Sequence, residues 1–130
     1  MKSVDRLLRI ALAFPFLYAS ISSLLSPKDW LWYIPDWLAT RVPPEPLLLG
    51  HGFLELLLGL WLITGKKTYY AAIAAAIDLT GATVLNIQTF TVVFRDVGLV
   101  AAAVALALLH REIASVSTNE KPKREKQLPN

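Results

Sequence analysis

The stretch that decides the fold is residues 47–64, which read LLLGHGFLELLLGLWLIT. This stretch contains one charged side chain, Glu55, and shows no strand-like alternation of polar and apolar positions. A helix needs about 20 mostly apolar residues to cross the hydrocarbon core of a bilayer. Because a lipid-spanning segment must satisfy its backbone hydrogen bonds internally, the stretch is predicted to be a transmembrane helix.

Three further stretches have the same character, at about residues 4–25, 69–90 and 93–110. Hydrophobic residues make up 55% of the chain and charged residues 18%, against about 45–50% and 25% in soluble domains. That excess excludes an ordinary soluble enzyme domain, and the lack of cysteine excludes a disulfide scaffold. The sequence therefore predicts an all-α membrane protein, a bundle of four transmembrane helices over residues 1–112.

A second feature is the aromatic stretch at residues 27–45, between the first two spans. Its apolar residues recur at helical spacing, which is typical of an amphipathic segment lying at the membrane interface. Pro35 is expected to split it into two short helices. The alternative is a lid over a cavity, or a docking surface for a partner. The spaced residues are Trp30, Tyr33, Ile34, Trp37 and Leu38.

Lysine and arginine placement predicts the orientation of the chain. Ten of these residues fall on the side of the two termini and three on the other side, which predicts a plasma-membrane protein with both termini in the cytoplasm. Residues 113–130 are predicted to be a disordered basic tail. The basic residues form no compact folded patch, so the predicted partner is the lipid bilayer and no nucleic acid.

Charged side chains within the spans are costly and require an explanation. Glu55 lies eight residues into the second span and Asp78 nine residues into the third, which enters from the opposite side. At 1.5 Å per residue, both carboxyls are expected near the middle of the bilayer. Arg9 is the candidate partner of Asp78, and Arg95 that of Glu55. His51 lies one helical turn from Glu55 on the same face.

Asn86 and Gln88 add hydrogen-bonding groups at the end of the third span. Together with His51, Glu55 and Arg95 they predict a polar cluster in an otherwise apolar bundle. The functional interpretation is a pocket for a lipophilic ligand with a polar head, such as a quinone, or a proton path. The structural alternative is that these groups hydrogen-bond helices to one another, and that Arg95 reaches to the interface.

No metal site is predicted. The sequence contains no His-Glu-x-x-His motif. Its two histidines, His51 and His110, fall near opposite ends of the bundle, about 20 Å apart in depth by helix rise. They therefore cannot both bind one haem.

The chain resembles the DoxX/DoxD family of small four-helix membrane proteins over about residues 6–110. No single motif is specific, and the order and spacing of several carry the resemblance. These are Arg6-Leu-Leu-Arg9, Gly52-Phe-Leu-Glu55 with Gly59, Thr64-Gly-Lys-Lys, the alanine-rich third span, and Phe94-Arg95-Asp96-Val-Gly-Leu.

The resemblance implies a four-helix bundle and, in the DoxD branch, the membrane subunit of a thiosulfate:quinone oxidoreductase. Other relatives are implied to be accessory subunits of membrane oxidoreductases or maturation factors for redox proteins. The acidic residue of the family's second span would correspond to Glu55, and the arginine of its first span to Arg9 or Arg6.

We therefore expect a subunit of a redox complex that helps to form a quinone site and is not catalytic alone. Glu55 is the candidate proton carrier or quinone contact, and His51, Asp78, Asn86, Arg95 and Arg9 are the other candidate ligand-binding residues. No covalently bound cofactor is expected. Other redox subunits or a second copy of the chain are the candidate protein partners. The alternatives are a non-catalytic assembly subunit and, less favoured, a small transporter or proton channel.

Overall fold

The structure, a computed structural model, describes the backbone of residues 2–125 and the side chains of residues 2–119. Within that part of the chain all regular secondary structure is helical. The α-helices are α1 (Lys2–Leu25), α2 (Asp36–Ala39), α3 (Pro44–Thr64), α4 (Thr68–Leu85) and α5 (Phe90–Glu125), with 3-10 helices at Pro27–Tyr33 and Ile87–Thr89.

Four of these helices are long and apolar enough to cross a membrane: α1, α3, α4, and the segment Ile87–Asn119 that contains most of α5. This confirms the prediction of an all-α protein with four transmembrane helices. Gly65 ends α3 in the left-handed conformation, at φ 68°, which a glycine adopts without steric cost. The turn after it joins α3 to α4.

Two helix ends differ from the sequence prediction. α4 ends at Leu85 rather than near residue 90, because the side-chain amide of Asn86 donates a hydrogen bond to the Ala82 carbonyl oxygen (3.0 Å). An asparagine that bonds to the backbone in this way favours a helix end. A 3-10 turn at Ile87–Thr89 then leads directly into α5.

The other difference is the length of α5. The sequence predicts disorder from residue 113, whereas the helix continues to Glu125. Residues 111–119 are exposed, so packing against the described part of the chain does not stabilise them. Helix propensity does not explain the extension, since residues 113–125 contain Pro122 and a run of weak helix formers at residues 115–119 beside alanine, glutamate, lysine and arginine. Residues 126–130 of the predicted tail lie outside the described part of the chain.

The four long helices pack as two pairs, α1 along α3 and α4 along α5, with fewer contacts between the pairs. Glycines allow the first pair to approach closely. A Cβ atom at Gly52 would lie 2.8 Å from Ser23 Oγ, and one at Gly59 would lie 2.8 Å from Leu17 Cγ. In the second pair alanines have the same role, since small side chains bring helices together in membranes. The fully buried ones are Ala71, Ala72, Ala75 and Ala103.

Arg9 connects helices at the end of the bundle where α1 begins and α3 ends, called the termini end below. Arg9 Nη1 donates to the carbonyl oxygens of Leu62 (3.2 Å) and Ile63 (2.9 Å), and its Nε donates to Asp5 Oδ2 (3.1 Å). Asp5 Oδ1 also lies 2.6 Å from His110 Nε2. These contacts connect α1 with α3 and α5.

The expected pairing of Arg9 with Asp78 therefore does not occur. The last carbonyls of α3 have no partner within their own helix and lie at the negative end of its dipole, so they attract the guanidinium. Asp78 lies ten residues into α4, about 15 Å along the helix axis from this end. Arg9 consequently belongs to the packing of the termini end and not to the polar cluster.

Candidate functional site

A cavity of about 460 Å³ lies between the two helix pairs, within the range of about 300–1,000 Å³ found for small-molecule sites. All four long helices contribute to its wall. Most of the wall is apolar, including Phe16, Leu79, Val93 and Leu99. The wall residues with a hydroxyl or charged group are Tyr18, Tyr33, Glu55, Asp78, Arg95 and Asp96. An apolar space with a few converging polar groups is typical of a binding site for a lipophilic molecule.

Glu55 and Asp78 of the cavity wall lie close to His51, and the three residues are called the His–Glu–Asp cluster below. One ligand atom from each side chain lies within 4.8 Å of the other two, and all three residues are partly buried. His51 and Glu55 share a face of α3 because they are four residues apart. Asp78 comes from α4, and its Oδ1 lies 3.9 Å from His51 Nδ1. The structure thus brings together two carboxyls that the sequence places at similar depth.

Tyr33, from the 3-10 helix Pro27–Tyr33, also contacts the His–Glu–Asp cluster. Its hydroxyl oxygen lies 3.0 Å from His51 Nε2, and the two ring centroids are 5.2 Å apart. Burial raises the pKa of Tyr33 well above its usual value, and the negative charges of Glu55, Asp78 and Asp96 raise it further. The phenol therefore keeps its proton at neutral pH and can exchange a hydrogen bond with the imidazole.

The first 3-10 helix covers one end of the cavity with three aromatic side chains, Trp30, Trp32 and Tyr33, called the aromatic cover below. Trp30 Nε1 donates to Ser22 Oγ of α1 at 3.0 Å, which fixes this short helix to the bundle. The Trp32 ring packs edge-on to Tyr33, at a centroid distance of 5.9 Å. The first half of residues 27–45 thus lines the cavity, whereas Trp37 in the second half is exposed.

Sequence reasoning did not include Tyr33 among the site residues. Its only signal was the helical recurrence of aromatic residues, which is equally typical of a membrane-interface segment. That pattern indicates that one face is covered and does not indicate which ring meets a histidine of another helix. The contact depends on how the chain folds back after α1, and local spacing carries no information about that.

The remaining predicted residues are placed differently from one another. Arg95 is exposed and lines the cavity beside Asp96. Among the side chains described, Arg95 forms no ion pair with Glu55. Asn86 is buried, bonds to its own helix and is not part of the cavity wall. Gln88 is exposed in the following 3-10 helix. The polar cluster is therefore smaller than predicted.

The comparison with known families agrees with this architecture. The family model of DoxX matches residues 4–87, about two thirds of the chain. The chain belongs to the DoxX family. The matched region contains α1, α3, α4, the aromatic cover and the His–Glu–Asp cluster, whereas Arg95 and Asp96 of α5 lie outside it. No curated protein and no solved structure matches the chain.

Proposed function

We propose that this DoxX protein is a membrane subunit of a redox complex, in which the cavity binds a quinone or another lipophilic molecule with a polar head. The observation that carries the proposal is the composition of the cavity wall. The space between the four apolar helices is mostly apolar, and its wall also contains the ionisable side chains of Glu55 and Asp78 and the aromatic cover. Such a space fits a molecule that enters from the lipid and carries its polar atoms at one end.

The residues present fit a quinone head group. Trp30 and Phe16 offer flat aromatic and apolar surfaces, and Tyr33 and His51 offer hydrogen-bonding groups near the carboxyls. A bound quinone would supply a two-electron acceptor whose reduction also takes up protons. Glu55 and Asp78 are the groups in the wall that would hold and transfer those protons.

Electrons would have to come from another subunit. The sequence contains no cysteine, so thiol chemistry cannot take place on this chain. We propose a donor protein that docks on the membrane surface or against the apolar outer face of the bundle. The excess of lysine and arginine on the side of the termini supports a cytoplasmic location for both termini.

Quinone binding by the purified protein in lipid nanodiscs tests the proposal directly. A short-chain quinone should quench tryptophan fluorescence saturably, because Trp30 and Trp32 line the cavity. Glu55→Leu should weaken binding about two- to tenfold, because a protonated Glu55 can donate a hydrogen bond to a quinone carbonyl oxygen and leucine cannot, a net loss of about 0.5–1.5 kcal/mol. Glu45→Gln, an exposed position at the start of the same helix, should leave binding unchanged. Non-saturable quenching, or equal affinities in all three proteins, contradicts a quinone site.

A non-catalytic assembly subunit is the second candidate function. The observation that favours it is the exposed aromatic and apolar surface near α2, including Trp37 and Val42, which could contact another membrane protein. The two candidates differ in one measurement on the complex isolated from native membranes. If Glu55→Gln lowers quinone turnover per assembled complex, the residue acts in the reaction. If it lowers only the yield of complex, the protein is an assembly subunit.

A further inference from the structure

We propose that His51, Glu55 and Asp78 form a binding site for a divalent transition-metal ion beside the cavity, whose wall contains Glu55 and Asp78. Three atoms that lie within 4.8 Å of one another all lie within about 2.8 Å of a common point. Metal ions bind imidazole nitrogen and carboxylate oxygen at about 2.0–2.2 Å. Each side chain would therefore move by less than about 1 Å to complete the site, a displacement that a change of side-chain torsion provides.

The charges of the site support a cation. Glu55 and Asp78 lie in the interior of two membrane-spanning helices, where carboxylates are costly unless they are compensated. Within the described side chains neither residue forms an ion pair with a lysine or an arginine. An ion of charge +2 would neutralise both carboxylates at once. It could enter through the cavity, whose wall contains both residues.

The histidine is oriented as a metal ligand requires. Tyr33 occupies the Nε2 side of the ring, at 3.0 Å, so Nδ1 faces Asp78. In the tautomer with the proton on Nε2, His51 donates to the Tyr33 hydroxyl oxygen, and the lone pair of Nδ1 points into the cluster. Metal-binding histidines almost always donate their other ring N–H to such a partner, which fixes the tautomer and the ring orientation.

The ligand set indicates the class of ion. One imidazole nitrogen with two carboxylates suits Mn²⁺, Fe²⁺ or Zn²⁺, whereas Mg²⁺ and Ca²⁺ prefer ligand sets made of oxygen alone. Three protein ligands leave further coordination positions open toward the cavity, as in metal sites that also bind a small molecule. This inference goes beyond the proposed quinone role, which requires no metal and in which Glu55 and Asp78 hold protons in the metal-free protein.

Sequence reasoning predicted no metal site because the ligands form no local motif. His51 and Glu55 supply only two ligands at a spacing of four residues, a spacing common on any helix. The third, Asp78, follows 23 residues after Glu55 on another helix. Its closeness to His51 depends on the rotation of α4 relative to α3, which the sequence does not encode locally.

Equilibrium dialysis against Zn²⁺ and Mn²⁺ tests the site. Protein in nanodiscs, freed of its affinity tag and treated with a chelator, should bind about one ion per chain, measured by mass spectrometry of the metal. Asp78→Ala should lower the affinity by at least about tenfold, since it removes a direct ligand and the loss of even an outer-shell partner costs about 10–100-fold. Glu45→Gln and His110→Gln, which remove groups outside the cluster, should bind as the wild type does. Absence of stoichiometric binding to the wild type overturns the proposal.

A cysteine variant provides a second, spectroscopic test, which remains valid if the alanine variant is less stable than the wild type. His51→Cys would be the only cysteine in the sequence and would keep a ligand at that position. Addition of Co²⁺ should then give a thiolate-to-cobalt charge-transfer band in the near ultraviolet. Leu54→Cys, at an exposed position on the same helix, should give none. Equal bands in the two variants, or no band in His51→Cys, contradict metal binding at this place.

The outcomes separate this inference from the proposed function. Quinone binding is measured on the metal-free protein in the same nanodiscs. If the metal-free protein binds quinone and no protein binds metal, the quinone site stands and the metal site falls. If metal binds stoichiometrically and no quinone binds, the metal site stands alone.

Discussion

Replacing Gly59 by alanine should destabilise the bundle, although alanine is the better helix former. The added Cβ would lie 2.8 Å from Leu17 Cγ and 3.4 Å from the Ala13 carbonyl oxygen. Overpacking of this kind costs about 1–3 kcal/mol, and the gain in helix propensity returns about 1 kcal/mol. The net expectation is therefore a loss of about 0–2 kcal/mol.

Gly81→Ala is the matched control, because a Cβ at Gly81 would meet no atom within 4 Å. Gly81→Ala should raise the unfolding free energy by about 1 kcal/mol, because alanine is the better helix former and its Cβ meets no other atom. The two variants should thus differ by about 1–3 kcal/mol, and this difference is independent of how well the propensity scale applies in a bilayer.

Reversible unfolding in mixed micelles, followed by far-ultraviolet circular dichroism as the fraction of denaturing detergent rises, measures both variants. Leu17→Ala should cost less stability in the Gly59→Ala protein than in the wild type, since it removes the atom that the new Cβ contacts. A Gly59→Ala protein as stable as Gly81→Ala would refute the close approach of α1 and α3. An equal loss of stability on Leu17→Ala in the wild type and in Gly59→Ala would refute it as well.

Three further predictions concern other contacts. Arg9→Met should lower the unfolding free energy by about 1–3 kcal/mol in the same assay, because two carbonyls at the end of α3 lose a charged donor. Trp30→Phe loses the 3.0 Å hydrogen bond to Ser22, so the aromatic cover should become more mobile. Acrylamide should then quench the fluorescence of the remaining tryptophans more strongly than in the wild type. In a Trp32→Phe protein, which keeps that bond, the increase in quenching should be smaller. The pKa of Tyr33 is raised in the folded protein, so the wild type should lose stability as the pH rises above about 10, the pKa of an unfolded tyrosine. Tyr33→Phe should lose less stability over the same pH range. An equal dependence of the unfolding free energy on pH in the two proteins would contradict the burial of the phenol.

Local properties of the sequence were sufficient to predict the four long helices of the chain. Four stretches of bilayer length, with backbone groups that lipid cannot solvate, have no stable alternative to helices. Gly65 ends α3 for a reason that lies within the residue, its tolerance of a positive φ. Local properties were less informative where the context was weak, as at α5, whose exposed continuation past residue 112 was predicted to be disordered.

The contents of the polar site were only partly predictable. Counting residues along two antiparallel spans placed Glu55 and Asp78 at similar depth, and a spacing of four placed His51 beside Glu55. The assignment of partners by depth alone failed for Arg9, which binds the end of α3. It failed also for Asn86, which bonds within α4. A side chain near a helix end has backbone groups within reach that a depth estimate ignores.

Sequence by itself determined that the chain forms four transmembrane helices, and where most of them begin and end, because these depend on hydrophobic length and on local backbone chemistry. Only the tertiary structure decided which helices pair and which faces meet. In a soluble helix an apolar stripe marks the buried face. In lipid the outside is as apolar as the core, so no such stripe marks the inward side of α3 or α4. The contacts of His51 with Tyr33 and Asp78 follow from that undetermined rotation.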